Sequence, residues 1–331
     1  MALNPEKKLR FSVPAVCVIF QIMFFLALIA GCGKYDNRAI QNSNGKINVM
    51  TSVFAPYDFV RNIAADKVNL FMLLPPGSES HSFDPSPADI NAIQRSDVFI
   101  YSGGESEKWV DRILDVINTD RIKILPMMDI VNVVEEETVE GMEAENEQKD
   151  PHGNSDNYDE HVWTSPKNAI LIVLAITKLL CETDLANAAF YQQNAAVYAG
   201  KLAELDGVFE SIVCHAKRKT IVFGDRFPFR YFTDSYGLKY FAAFPGCSAE
   251  TEPNAATVAF LITKIRDENI PVVFHIELSN ERMADTISLD TGAEKLLLHA
   301  CHNIAKSDFD SGLGYLDFMQ SNAKNLREAL Y

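Results

Sequence analysis

Holding a metal ion requires side chains that bring lone pairs to one point, and imidazole and carboxylate are the usual donors. Of seven histidines, two stand where the surrounding residues would fix an imidazole. His81 follows the turn Pro75-Pro76-Gly77 and precedes Phe83-Asp84-Pro85, a stiff stretch that would set its direction. That places it in a loop between a predicted strand and a predicted helix, at the strand's carboxyl end, where open α/β sheets bind ligands. His161 lies in Asp159-Glu160-His161-Val162-Trp163-Thr164-Ser165-Pro166, between an acidic stretch and an apolar helical one. The two histidines come from distant segments, and the reading they support is one metal ion held between them. His152 stands alone among acidic residues and reads as a solvated side chain with at most weak capture of metal.

The elements that would position these residues alternate. Residues 46–53, 68–74, 97–101 and 122–125 read as strands, and 54–65, 87–95 and 109–117 as helices, with Ser86 the N-cap and Pro87 the first helical residue of the second. Such alternation predicts a parallel sheet. A helix over 166–180 is followed by a run over 184–216 without proline, roughly 50 Å long if continuous at ~1.5 Å per residue. That length suits a rigid helix joining two lobes. Beyond it the pattern repeats, with strands at 220–223, 239–243 and 271–276. Helices are predicted at 229–236, 257–268, 279–291 and 314–330. Residues 135–160 differ: eleven of the twenty-six are Asp or Glu, so they are expected to form a mobile acidic surface loop.

Composition narrows the function classes. A chain of 331 residues, 47% hydrophobic and with a net charge of −15, is globular and lacks the basic footprint of a nucleic-acid binder. Residues 1–31 carry Lys7, Lys8 and Arg10, then an apolar run, and end Ile29-Ala30-Gly31 before Cys32. This is an export signal, and its ending resembles a bacterial lipobox, in which Cys32 takes the lipid and becomes the mature N-terminus. Residues 32–45 read as a polar tether, 46–182 as an N-terminal α/β lobe, 183–217 as the linking helix and 218–331 as a C-terminal α/β lobe. The expected protein is exported, monomeric and lipid-anchored on the outer face of the cytoplasmic membrane.

Two motifs carry a family resemblance. Pro75-Pro76-Gly77 with His81-Ser82-Phe83-Asp84-Pro85-Ser86-Pro87-Ala88-Asp89 resembles the first metal-ligand motif of the binding lipoproteins that serve zinc and manganese ABC importers. Asp159-Glu160-His161-Val162-Trp163-Thr164-Ser165-Pro166-Lys167-Asn168-Ala169 resembles the second. The acidic loop sits where zinc-specific members carry a flexible insertion. The resemblance covers residues 46–330 and implies two α/β lobes with mainly parallel sheets, a rigid joining helix and a metal site in the interlobe cleft. It also implies a membrane permease as partner. The family places a His or Glu after the first strand of the second lobe, where this chain has Asp225, which is either a carboxylate ligand or a local cap or partner of Arg226 or Arg230. The final ligand, usually an Asp, falls at Leu298-His299-Ala300-Cys301-His302-Asn303. His299 is the favoured ligand there, with His302 orienting or alternative, the two sharing a face if the segment is helical. Cys301 is a further alternative. Glu277, near the carboxyl end of its strand, is a candidate to orient a ligand histidine, while His275 reads as structural.

Imidazoles with one carboxylate suit Zn²⁺, and Mn²⁺, which favours more oxygen donors, is the alternative cargo. Cys181 and Cys214 flank the linking helix and are too far apart to pair, whereas Cys247 and Cys301 both belong to the second lobe and are the pairing expected if a disulfide forms. Two rival functions remain, a metal-dependent surface adhesin and a zinc hydrolase. The second lacks a His-Glu-x-x-His motif or nucleophile elbow, with only Glu160 or Glu277 to offer as base, so no enzymatic activity is expected.

Overall fold

The computed structural model describes residues 45–79, 83–142, 158–248 and 254–331. The export segment, the tether with Cys32, His81, His152 and most of the acidic loop lie outside the described residues.

The first lobe begins with β1 (Asn48–Thr51), buried along its whole length as the centre of a parallel sheet requires. It leads into α1 (Phe54–Ala64), whose Phe54, Phe59, Val60 and Ile63 face inward. β2 (Asn69–Met72), α2 (Pro87–Gln94), β3 (Val98–Tyr101), α3 (Lys108–Leu114) and β4 (Lys123–Pro126) follow. The start of α2 is as the sequence predicts. Ser86 and Asp89 form a reciprocal capping box and Pro87 occupies the first turn, where its missing N–H costs nothing. The four strands are parallel in the order β2-β1-β3-β4. The winding therefore reverses between β1 and β3, which opens a crevice at their carboxyl ends.

A 3-10 turn over Val162–Thr164 leads into α4 (Pro166–Thr183), and α5 (Ala188–Cys214) is the linking helix. α5 has 27 residues, roughly 40 Å, and is shorter than expected at both ends. Residues 185–187 form a 3-10 turn instead, because the Asp184 carboxylate is engaged by Asn187 and by the Tyr191 hydroxyl. Its buried face is Tyr191, Ala195, Tyr198, Leu202, Leu205, Phe209 and Ile212. This stripe of alternating four- and three-residue steps packs on α4 and α1.

The second lobe comprises β5 (Thr220–Val222), β6 (Arg226–Phe227), α6 (Arg230–Tyr236), β7 (Lys239–Phe241) and β8 (Phe244–Pro245), then α7 (Ala255–Glu268), β9 (Val272–His275), α8 (Arg282–Thr291), β10 (Glu294–Leu297), α9 (Lys306–Asp310) and α10 (Tyr315–Leu330). β5 pairs with β7 and β9 with β10, all parallel, and a parallel bridge between Phe223 and Phe274 joins the two pairs. The order β7-β5-β9-β10 repeats that of the first lobe, with its crevice between β5 and β9. One core, formed by α1, α4, α5, α6 and α10 with the inner faces of both sheets, runs through both lobes. Separate clusters lie on the outer faces, under α2 and α3 and under α7 and α8.

Three expectations need correction. Residues 298–302 are irregular rather than helical, with Cys301 at a φ of 59°. The acidic loop is packed rather than free at its described ends. Glu135 bridges Tyr158, Glu136 accepts the Cys247 backbone N–H at 2.9 Å, and Glu137 lies 3.5 Å from the Arg230 guanidinium. Cys181, Cys214, Cys247 and Cys301 are all free thiols, so the Cys247–Cys301 disulfide is not formed.

Candidate metal centre

The crevices of the two sheets meet at a small cavity of about 20 Å³, just above the roughly 10–15 Å³ that one water needs. Glu79 from the first lobe, His161 from the junction, and Arg226, Gly246, Glu277 and His302 from the second lobe line it.

His161 is fully buried, as are Asp159 and Glu160 beside it. Asp159 Oδ1 accepts the His161 backbone N–H at 2.8 Å and lies 3.1 Å from Nδ1. This carboxylate–imidazole arrangement fixes a proton on Nδ1 and directs the Nε2 lone pair forward, as second-shell carboxylates do for metal-ligating histidines. Burial alone would depress the His161 pKa, but the Asp159 charge and hydrogen bond, with Glu160, raise it overall. Glu160 turns away and accepts the Ser106 backbone N–H at 3.1 Å and the Ser106 hydroxyl. Burial raises its pKa.

His302 sits opposite, its ring edge-on to His161 with centroids 5.1 Å apart, and Trp163 completes the triangle at 5.2 Å from His302. The Trp163 indole N–H donates to the Ala300 carbonyl at 2.8 Å, tying the His161 segment to the His302 loop. Glu277 clamps that loop from below, accepting the backbone N–H groups of Ala300 at 2.7 Å and His302 at 3.0 Å. Glu277 also lies 3.7 Å from Nδ1 of His299.

The other sequence candidates are placed elsewhere. Asp225 does not line the cavity. Its oxygens accept the backbone N–H groups of Arg226 at 2.8 Å and Ile276 at 3.2 Å, and burial raises its pKa. His299 stacks on Phe318 of α10 at 3.9 Å, and its Nδ1 accepts the Cys301 N–H at 3.0 Å. The left-handed residue Cys301 turns the chain between them, so His299 and His302 face opposite ways. Cys301 itself is buried, and burial holds its thiol well above the ordinary range. His275 is directed at Ile276 and Glu281, away from the cavity.

Two contributors were not anticipated. Arg226 reaches across the cavity mouth to Glu79, with Nη2 3.1 Å from Oε1, and donates from Nη1 to the Ser248 carbonyl at 3.2 Å. Gly246 lies against His161. A Cβ there would stand 3.2 Å from the imidazole Cε1 and from Asp159 Oδ2, and 2.8 Å from the Phe227 carbonyl. The Pro245-Gly246 turn after a predicted strand was the only sequence signal for it.

Two α/β lobes on a joining helix, with a small cavity between their switch points, define a solute-binding protein. The family model described as zinc-uptake complex component A, periplasmic, matches residues 49–329, and the chain belongs to that family. It is 30% identical over 315 residues to the high-affinity zinc uptake system protein ZnuA of Bacillus subtilis, covering 94% of this chain and 97% of that one. It is 28% identical over 323 residues to the zinc-binding lipoprotein AdcA of Streptococcus pneumoniae, of whose length the match spans 61%. The crystal structure of the Zn(II)-bound ZnuA-like domain of Streptococcus pneumoniae AdcA superposes with a TM-score of 0.71 at 28% identity, over 86% of this chain and 99% of that domain.

Proposed function

We propose that this chain captures Zn²⁺ outside the cytoplasm and delivers it to an ABC-type permease, held at the membrane by lipid on Cys32. The observation that carries the reading is the facing pair His161 and His302, with a carboxylate behind His161 and a carboxylate clamp behind the His302 loop. His81 is the third imidazole. It follows Glu79 on the cavity rim by two residues, a span of at most ~7 Å of extended chain. The ligand set proposed is thus His81, His161 and His302, with Asp225 and His299 in supporting roles. A donor set dominated by imidazole favours zinc over manganese. Transport without turnover fits the same geometry, because Glu160 and Glu277 spend their oxygens on the Ser106 and loop N–H groups, and neither serves as a general base.

The test is a competitive chelator titration of the chain lacking residues 1–31. His81→Ala, His161→Ala and His302→Ala are each expected to lose zinc affinity heavily, and Asp225→Ala and His299→Ala much less. Wild-type affinity in both His161→Ala and His302→Ala would sink the assignment.

A further inference from the structure

The guanidinium of Arg226 is an unexpected group in a cavity for cations. Its side chain is only 8% exposed, so it carries a permanent charge out of water and requires a partner. That partner comes from the other lobe: Glu79 lies on the rim segment that follows Pro75. The start of the segment is already tied across the cleft. Asn303 Nδ2 donates to the carbonyls of Pro75 at 2.9 Å and Ser78 at 2.7 Å, and the Gly77 N–H donates to the Ile304 carbonyl at 2.8 Å. At Glu79 the Arg226 pair adds a charged tie across the cleft. Arg226 is itself fixed at both ends, by the pairing of β6 with β8 and by the Ser248 carbonyl.

From this arrangement we infer that Arg226 and Glu79 form an interlobe latch that sets how slowly the captured ion leaves. The inference rests on the zinc-binding reading above and adds the control of release. With the latch closed, Glu79 neutralises the guanidinium, and the cavity presents its imidazoles to the ion without an opposing charge. When the lobes part, Glu79 withdraws with its rim segment and the latch bond to Arg226 breaks, so that opening and release occur together. Arg226 is therefore a positioning residue, not a ligand. Its type matters because the planar fork meets Ser248 and Glu79 from two separate nitrogens, a reach that the single nitrogen of a lysine ammonium does not match.

The experiment is stopped-flow release of zinc from the loaded chain into excess chelator, for wild type, Arg226→Gln, Glu79→Gln, the double variant and Arg226→Lys. Each single neutral variant is expected to release zinc on the order of tenfold faster, as truncating one partner of a buried charge pair acts mainly on dissociation. The double variant should be no faster than the faster single, because both act through one bond, and Arg226→Lys should recover only part of the loss. A purely structural role would lower the melting temperature of the metal-free chain without this non-additive pattern in release. Unchanged release in both single variants, or fully additive effects, would overturn the latch. If Arg226→Gln does not fold, Glu79→Gln at the part-exposed rim decides alone, wild-type release again overturning it. A wild-type chain that binds no zinc contradicts the functional reading, whereas one that binds zinc but is indifferent to both substitutions contradicts only the latch.

Discussion

Asp159→Asn isolates what the buried carboxylate does for His161. Asparagine keeps the shape and an oxygen acceptor for the two bonds that Asp159 Oδ1 now makes at 2.8 and 3.1 Å, but removes the charge. The imidazole then becomes a weaker base. Loss of such an outer partner lowers metal affinity about tenfold to a hundredfold, or ~1.4 to ~2.7 kcal/mol. The isosteric change belongs near the lower figure and Asp159→Ala near the upper. The pH dependence carries a second signature. Because Asp159 raises the His161 pKa, protons compete with zinc for wild-type His161 to a higher pH than they do in the variant. The affinity deficit of Asp159→Asn should therefore be full above the wild-type His161 pKa and shrink as the pH falls through it, where wild type loses its advantage to protonation. Chelator-competition titrations at a series of pH values from 5.5 to 8.5 read this directly. An unchanged affinity at the alkaline end of the series, or a deficit that grows toward acid, would refute the reasoning.

Three further outcomes follow from the same geometry. Gly246→Ala must push a methyl into the Phe227 carbonyl and the His161–Asp159 pair, so zinc affinity should fall together with about 1–3 kcal/mol of stability, read by urea denaturation of the metal-free and loaded chain. Glu107 is buried with its pKa pushed up to about 7, above the ordinary 4.5. A folded-state pKa raised in this way contributes stability below the unfolded value that is lost as pH rises toward 7. Glu107→Gln should therefore flatten a decline of up to about 3 kcal/mol between pH 4.5 and 7.5, and an identical decline in both proteins would exclude the group. Trp163→Phe removes the indole bond to the Ala300 carbonyl and should cost about 1 kcal/mol in thermal denaturation, with a weaker grip on the His302 loop visible as faster zinc release.

Much of the fold is legible in the sequence because it depends on local chemistry. Ser86-Pro87 starts α2, Gly237 and Gly292 close their helices in the left-handed conformation, and the stripe on α5 declares a long packed helix. The His161 environment is legible for the same reason, since Asp159 acts from two residues away. What the sequence does not disclose depends on distant partners. The choice between His299 and His302 turns on Cys301 adopting positive φ, on Glu277 holding the loop and on Phe318 taking up the His299 ring. None of these is apparent from a spacing of three. The role of Arg226 was hidden likewise, because its partner Glu79 lies in the other lobe. The base of the acidic loop reads as solvated by composition, yet Asp159 and Glu160 are buried, with Tyr231 bonded to the Asp159 carbonyl, His161 to Asp159 Oδ1 and Ser106 to the Glu160 carboxylate.

The central claim is that the captured ion is held by imidazoles converging from both lobes, His161 and His302 among them. The most direct measurement is an anomalous difference map, collected at the zinc edge, from crystals of the zinc-loaded chain. The account predicts one strong peak about 2.0–2.1 Å from the forward nitrogen of His161 and from a ring nitrogen of His302. A peak coordinated instead by His299 or Asp225, with His302 remote from the ion, would contradict it.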